Sequence, residues 1–165
     1  MEKLSSILNR PEYVHAAINH FPLAGLFVAM LALVIALPTK NQTAIRIGLA
    51  LVALLSLSVW PVYHFGEEGY DRVLSMADEP GAQFLEHHKD LGERWVFLFF
   101  ITAGVAALGF SFSWKWPRSL PWSSLLALVL AASSLVAGIA IAQIGGQVRH
   151  REFRFGPPPA HHHQE

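Results

Sequence analysis

Four stretches of this chain carry no charged side chain: residues 21–38, 47–64, 95–113 and 120–144, with only His64 ionisable among them, at an end. About 20 apolar helical residues cross the roughly 30 Å hydrocarbon layer of a bilayer. A water-soluble helix bundle needs a polar stripe on each helix, and these stretches have almost none. Composition agrees, since 15% of the 165 residues are charged and 53% are hydrophobic, against about a quarter charged in an ordinary soluble domain. The chain reads as all-α, an integral membrane four-helix bundle. One four-span domain is expected over residues 1–155, followed by a mobile Pro/His-rich tail over 156–165.

Taken in order, residues 1–20 read as an interfacial arm. Leu4, Ile7, Leu8, Val14, Ala17 and Ile18 suggest one or two short helices lying on the membrane surface. The apolar run begins too late for a cleaved secretory signal. Pro22 suits the first turn of span one. Span two is expected over residues 43–64, with Pro61 kinking it and Trp60, Tyr63 and Tyr70 marking its interface. Residues 65–90 form the one hydrophilic loop, a helical one between spans two and three. Asp78-Glu79-Pro80-Gly81 within it reads as a capped helix start, the helix continuing through Trp95 to about Ser113. Span four, over 120–144, carries Ser134, Gly138, Ala142 and Gly146 at spacings of four, a stripe expected to admit a neighbouring helix.

Four spans put both termini on one side. The two short turns hold Lys40, Arg46, Lys115 and Arg118 with no acid between them. Short cationic turns belong in the cytoplasm, which makes the termini and the 65–90 loop periplasmic in a bacterial inner (cytoplasmic) membrane. The raw Lys/Arg count favours the opposite orientation, eight to four.

The net charge of zero argues against nucleic acid as a partner. The absence of cysteine excludes disulfides, thiolate metal sites and covalently attached c-type haem. Nine histidines remain, all on the side of the termini. His20, His64, His87 or His88, and His150 mark the outer ends of the four spans, while His161, His162 and His163 sit in the tail. Facing helices of a bundle commonly hold a metal or a haem iron through imidazole. The candidate ligands are His20, His64, His88 and His150, with His15 and His87 ranked behind them. Arg94 and Arg149 are the candidate cations for haem propionates. One polar pocket at the outer leaflet is expected, without a central pore.

The pattern His15-x4-His20-Phe21-Pro22 resembles the opening of a family of four-helix bacterial membrane proteins, domain of unknown function 2231. Phe65-Gly66-Glu67-Glu68, His88-x3-Gly92 and Gly145-Gly146-Gln147-Val148-Arg149-His150 extend that likeness over most of residues 11–155. Ala16 departs from it, because the family usually has proline after the first histidine. Members occur beside or fused to cytochrome modules, so the resemblance implies a redox setting.

The expectation that follows is a haem b protein passing electrons between the quinone pool and a periplasmic acceptor or partner cytochrome. The alternatives are a haem-free Zn or Cu protein using the same histidines, and a non-catalytic anchor or accessory subunit of a membrane complex.

Overall fold

The computed structural model describes residues 9–157. Leu4, Ile7 and Leu8 of the expected arm, and the tail histidines, lie outside them. Among the described residues there are seven α-helices and no strand. The helices are α1 (Pro11–Ile18), α2 (Phe21–Ala36), α3 (Gln42–Leu57), α4 (Val59–Leu74), α5 (Glu79–Trp95), α6 (Phe97–Phe112) and α7 (Leu120–Arg149). They join into four runs long and apolar enough to cross a membrane: Pro11–Thr39, Gln42–Leu74, Glu79–Phe112 and Pro117–Arg149. At most 33% of any run's most apolar window is buried inside the chain, so most of that surface is left for lipid.

Three runs break at one level. The helices between break and inner turn, α2, α3 and α6, are each 16 residues long. Pro22 and Pro61 explain two of the breaks, because proline lacks an N–H and its ring crowds the carbonyl four residues back. The third, at Val96, has no proline. There Phe99 N–H bonds the Val96 carbonyl at 3.1 Å, tightening one turn. Exposed Trp60 and Trp95 flank this level, and Trp114, Trp116 and Trp122 mark the other face. Trp95 and Trp114 are 114 − 95 = 19 residues apart, about 28 Å of helix, which matches the hydrocarbon thickness.

Below the breaks the bundle is filled by Leu26, Ala29, Leu33, Leu49, Val52, Phe99, Ala106, Ala127 and Ala131. The one buried side-chain pair there is Thr102 with Ser134, hydroxyl to hydroxyl at 2.9 Å. The expected small-residue stripe is only half used. Ser134 and Gly138 are buried, whereas Ala142 is exposed and Gly146 lies beside Phe153.

Above the breaks the packing changes. The inner helices α3 and α6 pack closely together, but their extensions α4 and α5 barely touch. Instead α1 packs along α4 and α5 along α7, giving two helix pairs. The arm expected over residues 1–20 is helical over Pro11–Ile18, and this helix, α1, stands beside α4. The hydrophilic 65–90 segment is helical apart from Ser75–Asp78, because α4 continues to Leu74, past the expected end of span two. Val14 and Ile18 on α1 are half-buried.

One clasp fastens the outer end. Asp78 caps α5 by accepting from Gly81 N–H at 3.0 Å. Arg154, returning from the chain's end, donates to both Asp78 oxygens at 3.0 Å and to the Gln147 and Val148 carbonyls at 2.7 and 2.8 Å. Arg151 adds a contact to Asp78 at 3.1 Å. The Arg154 hydrogen bonds, then the Gly81 N–H, hold the Asp78 carboxyl down at about 2.

Candidate functional site

His15 projects from α1 onto its partner α4. Its Nδ1 donates to the Val62 carbonyl at 2.8 Å. A carbonyl oxygen only accepts, so the proton sits on Nδ1, and Nε2 of the neutral ring keeps its lone pair. The ring reaches the helix backbone because residue 66 is glycine. A Cβ there would stand 2.9 Å from His15 Nδ1.

His88 repeats this arrangement in the second helix pair. It projects from α5 onto α7, and its Nδ1 donates to the Ile141 carbonyl at 2.9 Å. Residue 145 is glycine, and a Cβ on it would come within 2.8 Å of His88 Cε1. In each pair a histidine bonds the carbonyl of residue i and rests against a glycine at i+4. The two rings meet across the divide between the pairs, with centroids 6.2 Å apart and planes at 86°.

The ammonium of Lys89 joins α5 to α4 across the same divide. It lies 3.5 Å from Glu67 on α4, 3.7 Å from Glu93, and 4.7 Å from the Tyr70 ring centroid. Sequence reasoning gave no role to Lys89, and it ranked His15 below other histidines because Ala16 departs from the family pattern. The usable signal was the paired spacing Val62-x3-Gly66 and Ile141-x3-Gly145.

The other expected ligands stay apart from this pair. His20 is exposed and bonds the Asn19 side chain. His64 is exposed, stacked parallel on Trp60 at 5.6 Å, and 3.4 Å from Glu68. It is two residues from both Val62 and Gly66, about 200° around α4, so it faces away from His15. His87 adjoins His88 but points about 100° around the helix from it. His150 is exposed beyond α7 and pairs with Glu152 at 2.9 Å. The Glu152 carboxyl is lowered first by its own backbone N–H and then by His150. Arg94 and Arg149 are exposed, and among the described residues neither forms an ion pair. Of the four helix-end histidines expected as ligands, His88 alone meets another histidine, and His20, His64 and His150 lie apart on the surface.

Among the described residues no three His, Asp or Glu side chains come together as a metal-binding group. No protein-family model, curated protein or solved structure matches this chain.

Proposed function

We propose that this is a membrane haem b protein whose iron is held between His15 and His88, related to the family of domain of unknown function 2231. It would pass electrons between the quinone pool and an outer-side acceptor or partner cytochrome. The observation that carries the reading is the facing pair of imidazoles, each with Nδ1 engaged by a backbone carbonyl. That engagement is how metal-binding histidines are oriented and their tautomer fixed, leaving Nε2 as the ligand atom.

The donor set suits haem better than a bare ion. A Zn site takes three or four protein ligands, and the described residues bring only two histidines together. Haem supplies four nitrogens itself and asks the protein for two axial ligands. His15 and His88, whose ring centroids lie 6.2 Å apart, are the residues that would hold it. A bis-imidazole haem supplies reversible one-electron transfer.

The chain's own residues do the rest. Val62 and Ile141 orient the rings, Gly66 and Gly145 make room for them, and Lys89 ties the two helix pairs together. The cationic inner turns support placing the histidine side in the periplasm.

A reduced-minus-oxidised absorption spectrum of the detergent-purified protein tests the reading. Sharp α and β bands are expected, lost in both His15→Ala and His88→Ala and kept in His64→Ala and His150→Ala. A colourless protein carrying stoichiometric copper or zinc would replace haem with metal. Full haem content in both His15→Ala and His88→Ala would overturn the assignment of the ligands.

A further inference from the structure

At the opposite end of the bundle, Arg46 is held in one pose without a counter-ion. It lies in the second turn of α3 and is half-buried. Its Nε donates to Ser113 Oγ at 3.0 Å, and its Nη2 donates to the Ser113 carbonyl at 3.0 Å and to Gln42 Oε1 at 3.3 Å. The guanidinium lies over the Trp114 ring, 4.3 Å from its centroid. All three acceptors are neutral. Among the described residues Nη1 has no hydrogen-bond partner, and none of Lys40, Arg46, Lys115 and Arg118 forms an ion pair.

No acid is near in sequence to relieve this charge. Between Glu12 and Glu67, and again between Glu93 and Glu152, the chain has no Asp or Glu. Every acid among the described residues thus lies on the histidine side of the bundle, while this rim carries four cations. Lys115 stands next to Trp114, with its ammonium 5.1 Å from the Trp116 ring centroid. A half-buried, uncompensated charge is costly and calls for a partner.

We propose that Arg46 binds the phosphate of an anionic phospholipid at the inner rim. The occupant follows from place and charge. Trp114, Trp116 and Trp122 are exposed at this level, the depth at which aromatic belts meet headgroups. The N–H groups of Nη1 remain to donate charge-assisted hydrogen bonds to phosphate oxygen. The lipid sits where the first turns of α3 meet the end of α6, because Arg46 bonds Ser113 there. The site is independent of the histidine pair.

The test is lipid binding by purified wild-type protein, followed by native mass spectrometry and by thermal unfolding. Phosphatidylglycerol and phosphatidylcholine are the lipid probes and inorganic phosphate is the soluble one. Phosphatidylglycerol is expected to be retained in preference to phosphatidylcholine and to raise the melting temperature saturably, while inorganic phosphate does neither. Arg46→Gln is expected to weaken phosphatidylglycerol binding about fivefold, the worth of one interfacial cation. Arg149→Gln, at the far end, is expected to leave it unchanged. Equal retention of the two lipids by the wild-type protein would overturn the proposal, whether or not Arg46→Gln folds. So would undiminished binding by folded Arg46→Gln. Equal protection by inorganic phosphate would reassign the site to a soluble anion.

Discussion

At the residue scale, the two glycines decide whether the rings can sit where they do. A methyl group added at Gly66 or Gly145 enters the space of an imidazole at under 3 Å. Overpacking of this kind costs about 1–3 kcal/mol. Alanine is also the better helix former by about 1 kcal/mol, which offsets much of that cost. Gly66→Ala and Gly145→Ala are therefore expected to unfold within a few degrees of the wild type while losing most bound haem. Melting temperature and haem per protein, measured on the same sample, check both halves of this expectation. That residues 65–68 and 145–150 matter was legible in the sequence, but their role was not. Glycine beside charged residues reads as a turn or a helix end. Only the packing shows both glycines inside helices, with a ring from another helix laid against each.

At the element scale, Asp78 and Arg154 join the start of α5, the end of α7 and the returning chain. The sign of the pH dependence follows from the depressed carboxyl, about 2 folded against about 3.9 unfolded. The unfolded chain binds the proton more readily, so the clasp's contribution is fully present above about pH 4 and is lost as pH falls toward 2. Hydrogen exchange at residues 147–154 is expected to quicken over that window, and Asp78→Asn should show the faster exchange already at neutral pH. An unchanged exchange rate in Asp78→Asn would show that the clasp does not hold this end. Aspartate as a helix cap was readable from Asp78-Glu79-Pro80-Gly81. Its arginine partner, 76 residues away, was not, because nothing local marks Arg154 as different from Arg149 or Arg151. The polar continuation of α4 past residue 64 was missed for a related reason, whereas the polar start of α5 was readable from its cap. Hydropathy reports where lipid ends, and a helix ends only where its own hydrogen bonds and packing do.

At the scale of the whole molecule, a tight apolar layer carries a layer of two loosely joined helix pairs. Haem between those pairs is expected to stabilise one layer and leave the other unchanged. Stripping the haem should lower the melting temperature and speed hydrogen exchange at residues 62–66 and 141–145. Residues 26–33 and 45–52, in the core below the breaks, should keep their protection. Slower exchange throughout the inner layer on haem loading would mean that the two layers behave as one.

The equal lengths of α2, α3 and α6 bear on how such a site is kept in alignment. The Val62 carbonyl and Gly66 owe their position to a tally of residues begun at Asn41, on the far face of the bilayer. A helix is a screw, so one extra residue within α3 would lift everything above it by about 1.5 Å and turn it by about 100°. Gly66 and the Val62 carbonyl would swing aside and another residue's side chain would face His15, although no residue at the histidines had changed. The imidazoles are thus set like the hand of a clock, by gearing that lies a membrane's thickness away.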